Sequence, residues 1–522
     1  MNAIRDVLDR ATIASIVMIS VLASLLTLGV PIAAQTLINL IAFGGLLQPV
    51  ITLSIMMLVL MLALGALNIW QIFIVEVIQQ KLMVNISLNL TRQFTHISLD
   101  TFSTHHGPEL VNRYFEVVTI KKSLASLLLY GISLSLQIFF GLLLLVIYHP
   151  LFLLFDALIL AGIGFIVWLP YKKAMESAKM ECSEKHHVGA WLEEILINRF
   201  LFRFSHFSRF ALKKTDRHLV AFLKARNLHF RQLVKHQVGF YLLSALISSI
   251  LLGLGGYLVI ENQLSLGQLV AAEIVLGTFI YAFKRFGVLL ENYYDLRASL
   301  QKIEAVTEMP AQEVRTDFSN LFLPVKQLTI RAQTGNEGIA RVQKPLFLVC
   351  DKPDIARSFS DFISGFNDTP VADVLINGNR CDFLHLSSLR HHALLLRRPE
   401  WFAGNLHDNL LLNTTNISKE FLTELLEYFG LFPRILALPE GMHTLIYDWQ
   451  TVFTEEECIQ LMMIRARLLE PQILIIDSMF DGFPASFIAH CLKPFETSEK
   501  TIVLALIQSQ YGEHFPNRLA LS

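Results

Sequence analysis

Charged side chains are missing from the first long stretch of the sequence. No Asp, Glu, Lys or Arg occurs between Ala11 and Val75. A transmembrane helix needs about 20 predominantly apolar residues, so this stretch is long enough for two spans. The 522 residues carry a formal net charge of only −1, with no basic tail at either end, which gives no indication of nucleic-acid binding.

Cysteine is also scarce, and its spacing does not match the common paired motifs. The chain has 5 cysteines and no CxxC pair, the spacing that would indicate a zinc or redox motif. They are Cys182, Cys350, Cys381, Cys458 and Cys491. All of them fall in segments that we place in the cytosol, which favours free thiols over disulfides or a zinc site.

Further apolar runs predict four more membrane spans, which makes six. A second pair fits between Lys122 and Lys172, where Asp156 is the only charged residue. A fifth span fits 237–260 and a sixth fits 267–283. The predicted turns on the outer side are Gly44–Pro49, His149–Pro150 and Glu261–Leu266.

The segments that connect the spans differ strongly in positive charge. Segment 79–122 contains five Lys and Arg residues and segment 171–235 contains fourteen, whereas the outer turns contain none. The positive-inside rule therefore places both segments and both termini on the cytoplasmic side. Their helical spacing of apolar and basic residues predicts helices that continue beyond the bilayer.

Two acidic residues, Asp156 and Glu273, fall inside predicted spans. One interpretation is that each lies near the outer interface and reaches water or a neighbouring helix. The other is that they line a substrate path, because ionisable groups within a membrane are costly and usually face the protein interior.

Three pairs of adjacent histidines raise the question of metal binding. They are His105–His106, His186–His187 and His391–His392. Neighbouring side chains on a helix point about 100° apart, so no pair chelates a metal by itself. We therefore predict surface or loop positions for them and no metal site.

Residues 315–522 alternate short β-rich runs with helical segments, which predicts an α/β fold around a parallel sheet. Three segments within this region match, in order and spacing, the segments of an ABC nucleotide-binding cassette. The three segments start with the sequences VLINGNRCDFLHL, LPEGMHTLIYD and IRARLLEPQILIIDSM, respectively. The chain therefore resembles an exporter-type ABC half-transporter of the bacterial peptide and type I secretion kind. The resemblance implies six transmembrane helices in 1–305 followed by the cassette in 315–522.

The stretch that should bind phosphate departs from the pattern of this family. It is Cys350–Ser358, and it contains no glycine, whereas a phosphate-binding loop needs glycines, a Lys and a Ser or Thr. Pro353 removes one amide donor, and Ala356 stands at the position of the Lys. The remaining candidates for contact with a phosphate are Lys352, Arg357 and Ser358.

Other positions depart from the family pattern in the same way. Residues 453–457, FTEEE, replace the glycine-rich signature, and their glutamates suit a helix N-terminus that binds no anion. Asp477 keeps the position of the magnesium-binding aspartate, but Ser478 follows it where the resemblance implies a glutamate. Arg397 replaces the Q-loop glutamine, and Ile507 replaces the switch histidine. We therefore expect weak or absent ATP and magnesium binding, no cofactor and no catalytic residue.

Three functions are compatible with these observations. The first is the membrane subunit of an exporter with a defective cassette, in a homodimer or heterodimer with another half-transporter, embedded in the bacterial plasma membrane. A difficulty is that each ATP site of the family joins two cassettes, and this chain provides neither half of such a site intact. The second is an ATP-independent scaffold or regulatory subunit, and the third is an eroded relative without present activity.

Overall fold

The computed structural model describes residues 9–42, 47–98, 107–311, 323–332, 336–412, 414, 417–512 and 514–521. The chain divides into two compact units, Met1–Ala311 and Gln312–Ser522.

The first unit is helical throughout its described secondary structure. Its helices are α1 (Arg10–Thr27), α2 (Gly29–Ala42), α3 (Leu47–His96), α4 (Gly107–Asn112), α5 (Glu116–Ser126), α6 (Ile132–Tyr148), α7 (Phe152–Ile197), α8 (Arg199–Phe202), α9 (Ser205–Ile260) and α10 (Leu266–Thr307), with a 3-10 turn at Arg113–Phe115 and a π-helical turn at Leu127–Gly131.

Within the described residues, six helical regions are long and apolar enough to cross a membrane, which confirms the predicted number. They are Arg10–Ala42, Leu47–His96, Glu109–Tyr148, Phe152–Ile197, His206–Ile260 and Leu266–Thr307. The 56 residues of α9 extend about 84 Å at 1.5 Å per residue. The hydrocarbon core is only about 30 Å thick, so α9 continues far beyond the bilayer, as its sequence predicts.

The turns before α7 and α10 agree with the sequence, but part of the first predicted turn is wrong. α3 already begins at Leu47, so Pro49 lies in the first turn of this helix, where proline is tolerated. α6 ends at Tyr148 and α7 begins at Phe152, so His149–Pro150 forms the predicted turn. Ser265 caps α10 because its hydroxyl accepts a hydrogen bond from the Gln268 N–H at 3.1 Å. Gly44 and Gly45, predicted as a turn, lie outside the described residues.

Two large apolar cores and a smaller cluster around Ala174 and Tyr294 hold the first unit together. One contains buried side chains of α6, α7, α9 and α10, including Phe240 and Phe279. The other joins α1, α3 and α5 to the distal part of α10. Other apolar side chains on α3 are exposed, including Met56 and Leu62. Exposed apolar side chains are expected on a helix face that contacts lipid.

The second unit is built from two sheets. Its strands are β1 (Gln327–Arg331), β2 (Glu337–Arg341), β3 (Leu346–Val349), β4 (Asp373–Ile376), β5 (Asn379–Cys381), β6 (Ala393–Leu396), β7 (Gly404–Asn405), β8 (Leu445–Ile446), β9 (Ile473–Asp477), β10 (Ile502–Ile507) and β11 (Arg518–Ala520). The larger sheet has the order β11-β3-β10-β9-β6 and is parallel, as predicted. An antiparallel sheet of order β2-β1-β4-β5 covers one side of the unit, and β7 pairs with β8.

Helices of the second unit cover the parallel sheet. They are α11 (Pro353–Ile363), α12 (Phe383–Ser388), α13 (Leu406–Leu411), α14 (Lys419–Tyr428), α15 (Phe432–Leu436), α16 (Trp449–Val452), α17 (Glu455–Leu469), α18 (Ala485–Glu496) and α19 (Ser509–Gly512). Every residue of β9 and β10 is buried, which explains their continuous apolar sequences. Because parallel strands end at the same edge, the residues that follow β3, β6 and β9 come together there.

Candidate functional site

Asp477 lies at the carboxyl end of the interior strand β9, where the sequence places it. Its side chain is 3% exposed. The next residue, Ser478, has a positive φ of 56° and donates its backbone N–H to the Leu506 carbonyl at 3.0 Å. Its hydroxyl donates to Asp477 Oδ1 at 3.1 Å. The backbone turn after β9 therefore brings a hydroxyl, rather than a carboxylate, next to Asp477.

Arg397 forms an ion pair with Asp477 across the edge of the sheet. β6 pairs with β9 in parallel, and Arg397 is the first residue after β6. Arg397 Nε donates to Asp477 Oδ2 at 2.6 Å, and its Nη2 donates to Asp361 Oδ1 at 2.7 Å. The side chain of Arg397 is 26% exposed and that of Asp477 is 4% exposed, so most of this interaction is shielded from water.

Helix α11 adds Ser360 to the same cluster. Ser360 is fully buried, and its hydroxyl oxygen accepts a hydrogen bond from Arg397 Nη2 at 2.7 Å. The single hydroxyl hydrogen is within reach of Asp477 Oδ2 at 2.7 Å and of the Arg357 carbonyl at 2.9 Å, so it serves one of them at a time.

The negative charge of this cluster is partly neutralised. One guanidinium lies between two carboxylates, those of Asp361 and Asp477. Burial acts to lower the pKa of Arg397, but the hydrogen bonds and charges of both carboxylates outweigh it, and the pKa is raised. Arg397 thus remains fully charged and supplies the positive charge that a metal ion would supply beside Asp477.

The connection between β3 and α11 is much shorter than the sequence suggests. The predicted loop Cys350–Ser358 is wrong, because α11 already begins at Pro353 and only three residues separate it from β3. Proline has the backbone angle of a helix and is favoured in the first turn. The N–H groups of Ile355 and Ala356 donate to the Lys352 carbonyl at 3.0 and 3.2 Å, so they are not directed at an external anion.

The other three predicted phosphate contacts lie apart from Asp477. Lys352 directly precedes α11 and Arg357 lies within it, and both side chains are exposed. Ser358 is half-buried. Among the described residues, the hydrogen bonds of Asp477 come from Arg397, Ser360 and Ser478. The structure therefore brings together Arg397 and Asp477 of the predicted set and leaves out Lys352, Arg357 and Ser358.

The segment that follows β10 is attached to Asp481. Asp481 Oδ1 accepts a hydrogen bond from the Gln508 N–H at 3.1 Å. Burial raises the pKa of Asp481, the Gln508 N–H opposes this, and the nearby Asp477 carboxylate adds to the increase. The position of the switch residue, Ile507, is a buried strand residue and offers no polar group.

The glutamates of the FTEEE segment open α17, as predicted. Thr454 is the N-cap residue, and its hydroxyl accepts a hydrogen bond from the Glu457 N–H at 3.2 Å. The Glu457 carboxylate accepts the Thr454 N–H in return at 2.8 Å. This reciprocal capping box satisfies amides of the first turn internally, while three carboxylates surround it.

ATP with magnesium does not fit the residues of this edge. Magnesium needs carboxylate or hydroxyl oxygens directed at an open position, but Arg397 already donates to Asp477 Oδ2. A triphosphate needs several backbone N–H groups directed at it, and those of Ile355, Ala356 and Glu457 in the first turns of α11 and α17 bond within the chain.

The first unit matches a known family over most of its length. The family profile described as ABC transporter transmembrane region matches residues 11–283. The chain belongs to this family.

Two curated relatives of this ABC transporter chain extend over both units. The transport/processing ATP-binding protein ComA of Streptococcus pneumoniae (strain ATCC BAA-255 / R6) is 22% identical over 545 residues, covering 95% of this chain and 74% of that protein. The lactococcin-A transport/processing ATP-binding protein LcnC of Lactococcus lactis subsp. lactis is 20% identical over 517 residues, covering 95% and 71%.

A solved structure shows the same fold. A bacterial Atm1-family ABC exporter with ATP bound superposes with a TM-score of 0.83 at 14% identity, covering 98% of this chain and 93% of that one. The chain thus has the fold of an ABC exporter, with a transmembrane unit and a parallel-sheet cassette.

One histidine prediction is wrong for this ABC transporter chain. His186 is 5% exposed, because its face of α7 is turned towards Glu116, whose Oε1 lies 3.0 Å from His186 Nε2. His187 and His391 are exposed and His392 is half-buried. His105 and His106 lie outside the described residues.

The two acidic residues of the spans differ in environment. Asp156 is buried at 6% exposure, and neither carboxylate oxygen has a hydrogen-bond partner among the described residues. Its burial excludes direct contact with water in this structure. Glu273 is half-buried.

Sequence reasoning missed Ser360 and Asp361. No local pattern points to these two residues, because their contacts with Arg397 depend on how α11 packs at the end of β6. A largely shielded basic residue such as Arg397 requires carboxylates nearby, and Asp361 on α11 is one of the two that it contacts.

Proposed function

We propose that this chain is the membrane subunit of an ABC-type exporter whose cassette does not hydrolyse ATP itself. It works in a dimer with another half-transporter that supplies the ATPase activity. It spans the bacterial plasma membrane several times, with both termini in the cytoplasm. The lipid bilayer and the second half-transporter are its partners, and it needs no cofactor of its own.

The observation that carries this proposal is the ion pair between Arg397 and Asp477. Phosphoryl transfer by cassettes depends on magnesium, positioning and charge neutralisation. An arginine that donates to Asp477 at 2.6 Å removes the carboxylate from magnesium binding. The relatives are described as ATP-binding proteins, and the proposal is that this chain, with Arg397 paired to Asp477, does not share that property.

The direct test is nucleotide binding and hydrolysis by the purified full chain in detergent. We expect no saturable binding of a fluorescent ATP analogue with magnesium, and phosphate release no faster than the blank. An intact ABC exporter prepared in the same way serves as the positive control. Tight, magnesium-dependent binding by this chain would refute the proposal.

A double variant tests whether the glutamates of the FTEEE segment alone prevent ATP hydrolysis. Glu455→Gly together with Glu456→Gly removes two of the carboxylates at the start of α17. We expect this variant to remain inactive, because Ala356 stands where the phosphate-binding Lys is needed and Arg397 still pairs with Asp477. Turnover by the variant would contradict this account.

A scaffold or regulatory function is the second candidate, and the capping box at Thr454 favours it. A composite site needs the signature of one cassette against the phosphate loop of the other, and here the N–H groups of Ile355, Ala356 and Glu457 in these segments bond internally. Co-purification decides between the two. An intact cassette chain that accompanies this one supports the exporter subunit, whereas recovery of a homodimer alone supports the scaffold.

A further inference from the structure

Three metal-binding side chains meet in the first unit, outside the apolar parts of the spans. They are Glu116 on α5 and Cys182 and His186 on α7, and all three are buried, with 1%, 7% and 5% exposure. The carboxylate oxygen, the thiol sulfur and the ring nitrogen all lie within 4.8 Å of one another. Neither the family match nor the cassette accounts for this arrangement.

The backbone holds these ligands in position from two directions. Cys182 and His186 are four residues apart on α7, so their side chains lie on the same helix face. Glu116 is the first residue of α5, and its Oε2 accepts a hydrogen bond from the Ser299 hydroxyl of α10 at 2.5 Å. The other oxygen, Oε1, is directed towards His186.

The buried ring nitrogen of His186 faces the Glu116 carboxylate. Its Nε2 lies 3.0 Å from Glu116 Oε1, and no hydrogen bond of good geometry satisfies this nitrogen among the described residues. A buried polar atom without a partner is costly. A cation between the ring nitrogen and the carboxylate would bind both.

We propose that Glu116, Cys182 and His186 form a binding site for a borderline-soft divalent cation such as Zn²⁺. Thiolate, imidazole and carboxylate are the ligands that zinc uses, whereas magnesium and calcium prefer oxygen alone. Tetrahedral zinc separates its ligand atoms by roughly 3.3–3.8 Å at the usual bond lengths. The present separations allow this with small side-chain movements.

The charges around Glu116 are compatible with replacement of the Lys185 ammonium by a divalent cation. Lys185 Nζ lies 2.5 Å from Glu116 Oε1 in the structure, and its side chain is 50% exposed. When the cation binds, the Cys182 thiol loses its proton to solvent, and the Lys185 ammonium moves out into water. A divalent cation with one thiolate and one carboxylate is neutral, as is the present pair of Glu116 and Lys185. Lys302, bonded to Ser183 at 3.2 Å, adds a nearby positive charge that weakens the site.

The test is titration of the full chain in detergent with Co²⁺ as a spectroscopic probe, followed by displacement with Zn²⁺. We expect one equivalent to bind with a thiolate-to-cobalt charge-transfer band. Cys182→Ser and His186→Gln should each weaken binding at least about tenfold, because even outer-shell partners of a metal are worth 10–100-fold. Cys182→Ser must also abolish the charge-transfer band.

Two further variants keep the test decisive if a ligand variant folds poorly. Lys185→Met removes the competing ammonium and should tighten Zn²⁺ binding several-fold, an effect that a purely structural role of the cluster does not predict. His187→Gln, whose side chain is 49% exposed, is the matched control and should leave the affinity unchanged. Absence of the thiolate band, equal affinity in Cys182→Ser, or no tightening in Lys185→Met would each overturn the proposal.

Discussion

Replacing Arg397 by Met tests whether this arginine, rather than a bound cation, stabilises Asp477. Methionine keeps most of the side-chain length but donates no hydrogen bond. The change removes contacts to Asp477, Asp361 and Ser360 at 2.6, 2.7 and 2.7 Å. It leaves a carboxylate that is 4% exposed with only two hydroxyl groups as donors.

The magnitude follows from the burial of the two partners. Breaking a fully buried ion pair by removing one side costs about 3–5 kcal/mol. Because the Arg397 side chain is 26% exposed, water can reach part of the cluster. We therefore expect the free energy of unfolding of the second unit to fall by about 2–4 kcal/mol. Adding Asp477→Asn should restore at least about 1 kcal/mol, because contacting residues couple by 0.5–3 kcal/mol.

Urea unfolding of the full chain in detergent measures this effect. The stacked pair Trp401 and Trp449, with ring centroids 4.6 Å apart, provides a fluorescence signal from the second unit. So that the signal comes from this pair alone, the three tryptophans of the first unit are replaced by phenylalanine in all samples. These are Trp70, Trp168 and Trp191.

The neighbouring arginine is the matched control. Arg398 is 80% exposed and lies 3.5 Å from Glu400, so Arg398→Met should change the free energy of unfolding by less than about 0.5 kcal/mol. Magnesium should stabilise Arg397→Met, in which two carboxylates are released, more than the unsubstituted chain. Equal stability of Arg397→Met and Arg398→Met would refute the reasoning.

Three further predictions concern the second unit. Thr454→Ala should lower its free energy of unfolding by about 1 kcal/mol through loss of the helix cap, while Thr454→Ser should have little effect in the same urea assay. Arg465, 7% exposed, donates to two backbone carbonyls, so Arg465→Met should cost about 2–4 kcal/mol, and stability within error of the unsubstituted chain would contradict this. Burial acts to raise the pKa of Glu470, but hydrogen bonds from Arg467 and Lys500 lower it below its usual 4.5. Its stabilisation is therefore present above pH 4.5 and is lost as pH falls further, and Glu470→Gln should remove this small part of the pH dependence in thermal unfolding.

The fold could be predicted from the sequence because its signals are local and repeated. Charge-free apolar runs define spans, and β9 has the continuous apolar sequence of a buried parallel strand. The site was predictable only in part. Asp477 and Arg397 were identified by position, but their pairing depends on β6 lying next to β9, which no local pattern reveals.

At α11 the helix-favouring residues determine the structure, in place of the loop that the resemblance predicts. The resemblance predicts a phosphate-binding loop over the nine residues Cys350–Ser358, but Pro353 and Asp354 are favourable in the first turn of a helix, and the helix begins there. At α7 the error had a different origin. Adjacent histidines point in different directions on a helix, whereas the spacing that places two side chains on one face is four residues, as between Cys182 and His186.

Asp477 is retained at the position of a magnesium-binding residue, but its partners in the structure are side chains of the chain itself. By sequence it is the remnant of a magnesium site, and retention would suggest that magnesium still binds. In the structure its carboxylate accepts hydrogen bonds from Arg397, Ser360 and Ser478 at 2.6–3.1 Å. A carboxylate at the end of a buried strand needs such partners to avoid the cost of an unpaired charge. Because Arg397 provides a positive charge, the burial of the Asp477 carboxylate is accounted for without a metal ion. The side chain that contacts this aspartate therefore decides its role.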